Sequence, residues 1–181
     1  MKFDDVLGDG RLWAVEYEGM QDNILFCTFR NWMDIDWLKL FFTEHLNDLR
    51  SYFRITNIDE AIYDTFSDAT KLQAVILDIS PEADLDALFR PLDNNRTSEM
   101  LLGKEKAKGK KTATHASWLR LYALKLEPQT YLITGGAIKL THKMEERRHT
   151  VGELEKLETV RNYLIEKGVS DLDGLIDLNK V

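Results

Sequence analysis

Two strands joined by a short turn form the pattern that most constrains the fold of this chain. Residues 118–126 (WLRLYALKL) are rich in apolar and aromatic side chains and predict a β-strand, which the Glu-Pro-Gln sequence at 127–129 ends in a turn. A second strand is expected over residues 130–134. The glycine pair at 135–136 is expected to interrupt it, and residues 137–143 (AIKLTHK) continue it. The sequence therefore predicts an antiparallel hairpin in the C-terminal half of the chain.

A helix is expected directly after this hairpin. Thr150 and Glu153 have the spacing of a capping box, and apolar residues recur at helical spacing until Gly168, where the helix should end. A short terminal helix is expected over residues 171–178. The hairpin would then have a helix packed against it.

The N-terminal half mixes strand and helix patterns. Residues 11–18 and 24–30 predict a second hairpin, and the region from 34 to 88 predicts several helices. The predicted helices cover residues 34–49, a run that begins at the capping residue Asn57, residues 68–78, and residues 81–88. The sequence predicts an α+β fold of one domain over 1–181, with a small antiparallel or mixed twisted sheet and helices packed on it.

Composition excludes several classes of protein. With 44% apolar residues the chain is expected to fold, and the single Cys27 excludes an internal disulfide and any zinc or iron–sulfur site built from cysteines. No apolar run approaches the ~18 residues that cross a bilayer. The first residues, MKFDDVLGDG, lack the apolar core of a signal peptide. We therefore expect a cytoplasmic protein with no membrane association and no cofactor.

Charge is distributed unevenly along the chain. Residues 1–100 hold 9 Lys and Arg against 20 Asp and Glu, whereas residues 101–150 hold 11 Lys and Arg against 4 Asp and Glu. A basic segment in an acidic protein indicates an anion-binding or nucleic-acid-binding face, although solvated surface lysines are the simpler explanation. Residues 104–111 are expected to form a mobile loop. The acidic half could shield the basic face within the same chain.

The strand alternation places candidate site residues together. Trp118, Arg120 and Tyr122 fall on one face of the first strand, while Lys139 and Lys143 fall on one face of the second. If these faces coincide, the sheet presents a set that suits a phosphodiester, because Arg grips phosphate bidentately and Lys adds charge. Alternatively, Arg120 and Tyr122 are amphipathic side chains over a core and the lysines are solvated.

Other candidate chemistry is weaker. His115, His142 and His149 lie near the basic segment, and each could transfer protons, but alternation turns His142 away from the two lysines. No spacing typical of a metal site is found, so no metal is expected.

The residues from about Leu85 to Leu164 resemble the RelE/ParE superfamily of small bacterial toxins, nearest to its HigB-like branch. The first matching element is Trp118-Leu119-Arg120-Leu121-Tyr122, and the second is the strand at 136–143 with Lys139 and Lys143. The helix that follows contains Gly152-Glu153-Leu154. The resemblance implies a RelE-like core over 85–168, an enlarged helical N-terminal part over 1–84, and an extension over 169–181. The N-terminal hairpin predicted over Trp13–Arg30 would sit where the family's opening strand sits, with much extra helix after it.

The resemblance implies a toxin of a toxin–antitoxin system. Such a protein is a metal-independent endoribonuclease that cuts mRNA on the ribosome, uses the RNA 2′-hydroxyl as nucleophile and has a cognate antitoxin as partner. Its implied catalytic residues are Arg120 and Lys139 for phosphate charge, Lys143 or His142 for proton transfer, and Tyr122 for stacking on a base or supporting the acid. Its implied RNA-binding residues are Lys104, Lys106, Lys108, Lys110, Lys111 and Trp118.

Two other functions remain open at this point. The chain could be a protein-binding adaptor that keeps the RelE-like fold without catalysis, with its acidic N-terminal part binding a basic protein. It could also resemble the ParE branch and bind a topoisomerase without any RNA chemistry. The oligomeric state is open in every case.

Overall fold

A computed structural model shows an α+β fold and describes residues 1–93, 102–109 and 115–180. Within these residues, six strands form one mixed sheet and helices pack on both of its faces. No described helix is long and apolar enough to cross a membrane. The α+β class predicted from the sequence is confirmed.

The strands fall at both ends of the chain. The N-terminal pair is β1 and β2, and the remaining four follow a long helical region. The strands are β1 (Lys2–Asp5), β2 (Leu12–Glu16), β3 (Arg90–Pro91), β4 (Gly103–Lys108), β5 (Leu119–Glu127) and β6 (Thr130–Ile138). Their order in the sheet is β1-β2-β6-β5-β4-β3. All neighbours are antiparallel except β2 and β6, which pair in parallel.

The helices lie mainly between β2 and β3, and two more follow β6. They are α1 (Ile24–Trp32), α2 (Ile35–Glu44), α3 (Leu46–Asp48), α4 (Ile58–Leu77), α5 (Leu85–Leu88), α6 (Arg148–Glu166) and α7 (Leu172–Asn179). A π-helical turn covers Leu49–Phe53, and a 3-10 turn covers Met144–Glu146. The helix predicted over 34–49 therefore ends earlier, at Glu44. The two helices predicted between 58 and 78 are one continuous helix.

Several helix ends follow the predicted capping chemistry. Asn57 accepts a hydrogen bond from the backbone N–H of Asp59, and Asp34 accepts one from that of Trp37. Gly168 follows α6 with a φ of +72°, a left-handed conformation that glycine adopts without strain. The predicted capping box at Thr150 is wrong, because α6 begins at Arg148 and the Thr150 hydroxyl donates backward to the carbonyl of Arg147.

The predicted N-terminal hairpin is also wrong. Residues 24–30 belong to α1, and the strand that pairs with β2 in antiparallel fashion is β1. The Asn23 side chain accepts a hydrogen bond from the N–H of Phe26 and so begins the helix. The buried residues of α1 recur at helical spacing and are Ile24, Leu25, Thr28, Phe29 and Trp32. A helix forms here because Asn23 caps its first turn and the apolar residues that follow lie on one helical face, which packs against the sheet.

Gly135 and Gly136 do not interrupt the second strand; β6 runs through them. A Cβ atom on Gly135 would lie 1.8 Å from Oε2 of Glu153, and one on Gly136 would lie 2.7 Å from Cγ2 of Thr28. Because neighbouring strand residues point to opposite faces, α6 packs on one face here and α1 on the other. The glycines therefore allow two helices to approach the same strand.

Candidate functional site

The sheet brings the basic residues of β4 and β5 together. Lys108 lies opposite Arg120 and Lys106 lies opposite Tyr122 in the antiparallel register of these strands. Directly opposed residues in an antiparallel pair project from the same face. Lys104, Lys106 and Lys108 therefore share a face with Arg120, although the sequence predicted a mobile loop over 104–111. That prediction is wrong for residues 104–108, which belong to β4.

A cleft of about 1140 Å³ lies over this face. The predicted catalytic residues all line it, namely Arg120, Tyr122, Lys139, His142 and Lys143. Arg161 of α6 also lines the cleft. The sequence did not indicate this, because nothing in its helical pattern sets Arg161 apart from the other charged residues of the helix. Among the described residues the lining holds seven Lys and Arg against three Asp and Glu, so the cleft is net positive.

The cations of the cleft stand close enough to repel one another. Burial, together with the neighbouring charges of Lys108 and Arg120, lowers the pKa of Lys106. Burial and the charge of Arg120 likewise lower the pKa of Lys139 and of Lys108. Clustered cations of this kind gain free energy when an anion neutralises them.

Arg120 is held by the backbone at the base of the cleft. Its Nη1 donates to the carbonyl oxygens of Ser117 and Leu119, both at 2.7 Å. These bonds occupy one nitrogen of the guanidinium and fix its plane, while the other two nitrogens make no described hydrogen bond. An oriented guanidinium with free N–H groups is well suited to grip a phosphate.

Tyr122 is fully buried, yet its hydroxyl has no hydrogen-bond partner among the described residues. The predicted stacking of Tyr122 on a base is wrong, because a side chain with no exposed surface offers no ring face. Burial raises the pKa of Tyr122, so the phenol stays protonated. It can therefore act as a hydrogen-bond donor and cannot act as a base near neutral pH.

The segment after β6 brings Lys139 and His142 to the same cleft. β6 ends at Ile138, so the strand alternation that turned His142 away does not apply. Lys139 bends back over this turn, and its Nζ donates to the carbonyl of Thr141 at 2.7 Å. The His142 ring is exposed and meets the ring of Tyr52 edge to face, with centroids 4.9 Å apart. The imidazole of His142 therefore lies exposed at the rim of the cleft.

The remaining predicted RNA contacts divide into three groups. Lys104, Lys106 and Lys108 line the cleft, although Lys104 is paired with Glu158 of α6. Trp118 cannot contact RNA, because it is 1% exposed in the core and its Nε1 donates to Oγ1 of Thr65 at 2.9 Å. Lys110 and Lys111 lie outside the described residues.

Glu105 is a buried carboxyl that the sequence analysis missed. It alternates with the lysines of β4 and is 1% exposed, and burial raises its pKa to about 6. Its Oε2 has no hydrogen-bond partner among residues 1–93, 102–109 and 115–180. The alternating sequence Lys-Glu-Lys-Ala-Lys at 104–108 could have predicted this burial. In a strand, Glu105 and Ala107 point to the face opposite the three lysines.

Of the described residues of the acidic N-terminal half, only Pro91, Leu92 and Asp93 line the cleft, and the negative charge of Asp93 acts on Lys106. Shielding of the cleft by the rest of that half stays a prediction. In the described part of the chain, no group of three or more His, Cys, Asp or Glu side chains is arranged to hold a metal ion. No protein-family model matches this chain, and no curated protein or solved structure is similar enough to it to support an assignment.

Proposed function

We propose that this protein is a RelE/HigB-like toxin that binds mRNA in the basic cleft and cuts it on the ribosome without a metal ion. The observation that carries the proposal is the convergence of Arg120, Lys139 and the β4 lysines on one cleft with a net positive lining. Cations placed around a phosphodiester stabilise the charge that develops on it during cleavage.

The topology supports the proposal. The resemblance implies an opening element, a hairpin and a following helix, and β2, the β5–β6 pair and α6 follow one another in that order, although α1 replaces the second strand expected at the opening position. The opening strand β2 joins the hairpin directly by pairing with β6. The helices α1 to α4 lie within residues 1–84, where the resemblance implies an enlarged helical part.

The proposed reaction begins at the 2′-hydroxyl of the RNA. The 2′-oxygen forms a bond to the adjacent phosphorus, and the bond from phosphorus to the 5′-oxygen breaks. One proton passes from the 2′-hydroxyl to a base and another passes from an acid to the leaving oxygen, which gives a 2′,3′-cyclic phosphate and a 5′-hydroxyl. Arg120 and Lys139 would stabilise the phosphorane, whereas the buried hydroxyl of Tyr122 would take no direct part.

His142 or Lys143 would transfer the protons. Both residues are exposed at the rim of the cleft, and both are side-chain types that serve as general acids and bases. The lysines of β4 would hold the flanking phosphates or ribosomal RNA. The ribosome, mRNA and a cognate antitoxin are thus the proposed partners, and the proposed location is the cytoplasm.

The proposal is tested by inducing the wild type and an Arg120→Ala/Lys139→Ala variant, each confirmed soluble and folded by circular dichroism. We expect the wild type to arrest growth and to leave mRNA fragments that end in 2′,3′-cyclic phosphate. The double variant should do neither. Lys39→Ala is a matched control, because Lys39 is exposed on α2 and does not line the cleft.

A second measurement separates binding from cleavage. Anisotropy of a fluorescent single-stranded RNA should show binding that weakens as salt rises, with little binding by the double variant. If the soluble wild type leaves growth normal and mRNA intact, the protein is not a nuclease of this kind. If the wild type also fails to bind the RNA, or if the double variant binds it as tightly as the wild type, the cleft is not an RNA-binding site.

The alternative is a protein-binding adaptor that keeps this fold. Two observations favour it: Tyr122 is fully buried, and one nitrogen of Arg120 is already bonded to two carbonyls. The acidic N-terminal half also exposes large apolar side chains on α2 and α4, including Leu40 and Tyr63. The adaptor would be favoured if mRNA stays intact, the chain captures a basic protein, and Leu40→Asp abolishes that capture.

A further inference from the structure

The orientation of Arg120 depends on a short segment of backbone that comes just before β5. The strand begins at Leu119, so Ser117 and Trp118 precede it and their backbone is outside the β4–β5 ladder. Yet the carbonyl oxygens of Ser117 and Leu119 are the two groups that hold Nη1 of Arg120. Whatever fixes this segment therefore also fixes the guanidinium in the cleft.

Two side chains of α4 hold the segment, although no residue of α4 lines the cleft. The hydroxyl of Ser117 donates to Oδ2 of Asp68 and accepts from the backbone N–H of Leu119 at 3.1 Å. About one turn earlier on the helix, Oγ1 of Thr65 accepts from Nε1 of Trp118 at 2.9 Å. These side chains of α4 and of the segment are all buried. A buried polar network whose members are paired makes the local structure rigid.

The end of β4 closes over the contact between Asp68 and Ser117. A Cβ atom on Gly109 would overlap both Oδ2 of Asp68 and Oγ of Ser117. Only glycine lets the backbone pass this close to the two side chains. Gly109 follows Lys108, which lies opposite Arg120 in the register of β4 and β5. The contact therefore adjoins the ends of both strands that carry cations of the cleft.

We propose that Asp68 and Ser117 are positioning residues for the anion-binding guanidinium of Arg120. Asp68 holds the hydroxyl of Ser117, and Ser117 fixes the turn into β5. The carbonyls of that turn then hold Nη1 and leave the other N–H groups available to a phosphate in the cleft. The enlarged helical part would thus serve the cleft without contacting its ligand. Because this role rests on the proposed function of the cleft, its test follows Arg120 both without RNA and with it.

Positioning and charge predict opposite results when Asp68 is removed. Burial lowers the pKa of Arg120, and the negative charge of Asp68 opposes this shift, so the two charges interact. A purely electrostatic role predicts that Asp68→Ala strengthens the binding of an anion, because a nearby negative charge is lost. A positioning role predicts weaker binding, because Arg120 must then be ordered as the anion binds. Ser117→Ala changes no charge and should weaken binding for the same reason.

The first measurement needs no ligand. The side-chain N–H groups of Arg120 are followed by ¹⁵N NMR in the full-length wild type, in Ser117→Ala and in Asp68→Ala, with Arg120→Ala used to assign the signals. We expect separate Nη1 and Nη2 signals in the wild type, because the two carbonyls hinder rotation of the guanidinium. Both variants should give averaged signals.

The second measurement is the anisotropy of a fluorescent single-stranded RNA. Ser117→Ala and Asp68→Ala should each weaken RNA binding about threefold to tenfold, which is the cost of ordering one long side chain on binding. Asp68→Asn keeps an oxygen that accepts from Ser117 and should bind RNA at least as tightly as the wild type. In the Arg120→Ala protein, Ser117→Ala should weaken binding no further, because Ser117 acts through Arg120.

Asp48→Asn is the matched control for both measurements. Asp48 is also a buried aspartate, and it binds Arg147, but it neither lines the cleft nor belongs to the network of Asp68 and Ser117. Asp48→Asn should lower the stability of the protein while leaving the Arg120 signals and the RNA affinity unchanged.

Several outcomes would overturn the positioning role. They are averaged Nη signals in the wild type, separate signals in both variants, tighter RNA binding by Asp68→Ala, or a further loss from Ser117→Ala in the Arg120→Ala protein. Should Asp68→Ala fail to fold by circular dichroism, Ser117→Ala gives the same test. If the wild type binds no RNA, the proposed function fails, and the Arg120 signals alone decide whether the two residues position this guanidinium.

Discussion

Tyr122→Phe should stabilise the protein, which is unusual for the loss of a buried hydroxyl. The hydroxyl of Tyr122 is removed from water and bonds to no described group. Burying an unpaired polar group costs about 1–3 kcal/mol. Deleting one oxygen also leaves a small void, so we expect a net gain near the low end, about 1 kcal/mol.

Tyr131 provides the matched control. It is 1% exposed like Tyr122, but its hydroxyl donates to Oδ1 of Asp86 at 2.5 Å. Tyr131→Phe loses a hydrogen bond to a charged acceptor and should destabilise the protein by about 1–2 kcal/mol. The same chemical change is therefore expected to have opposite signs at two buried positions of the same sheet.

Urea unfolding followed by circular dichroism measures both effects. For a slope near 2 kcal/mol/M, Tyr122→Phe should raise the midpoint by about 0.5 M, and Tyr131→Phe should lower it by a similar or larger amount. The slopes should not change. If Tyr122→Phe lowers the midpoint as far as Tyr131→Phe does, the Tyr122 hydroxyl is satisfied in solution and the reasoning fails.

Three further predictions concern charge and packing. The pKa of Glu105 is raised to about 6, so the wild type loses stability as pH rises from about 4.5 through 6 and this carboxyl becomes charged. Glu105→Gln should therefore be more stable than the wild type by about 2 kcal/mol above pH 7 and no more stable below pH 4. Urea unfolding midpoints measured across this pH range will test both expectations. Gly135→Ala should destabilise the protein by about 1–3 kcal/mol, because its Cβ would overlap Glu153. In thermal melts, the Gly135→Ala/Glu153→Ala variant should lose less stability than the sum of the two single variants, and an equal loss would contradict the contact. Lys106→Ala/Lys108→Ala should reduce the slope of log affinity against log salt for single-stranded RNA by about 1.4, and an unchanged slope would place the RNA elsewhere.

The elements that the sequence predicts well are those with local chemical signals. The β5–β6 hairpin carries a turn sequence at 127–129, Asn57 and Asp34 are capping residues, and Gly168 ends a helix with a positive φ. Each signal acts within a few residues of the structure it specifies. Local chemistry was therefore enough to predict these boundaries.

The errors arise where distant packing decides the structure. Residues 24–30 are aromatic and β-branched and predict a strand, but the stripe that continues to Trp32 packs against the sheet as a helix. Gly135 and Gly136 look like a break in the strand, and only the positions of Glu153 and Thr28 explain them. Information from other parts of the chain was needed in both cases.

The candidate site was partly predictable for the same reason. Arg120 and Tyr122 follow strand alternation, so their shared face was accessible from the sequence. Lys139 lines the same cleft, but from the turn after β6 and not from the strand that the sequence predicted there. The contribution of β4 was hidden, because a run of lysines looks like a solvated loop until the register with β5 is known. The burial of Trp118 depends on α4 and was equally hidden.

The parallel pairing of β2 with β6 affects how the chain folds during synthesis. Ala14 has its partner at Ile133, so β2 and the helices after it leave the ribosome long before the strand that completes their sheet. The cleft needs still later residues, up to Arg161 of α6. A nascent chain therefore exposes its acidic helical part first and assembles the basic cleft last. The cleft is thus absent for most of translation, while the helices that could meet a partner protein are already outside the ribosome.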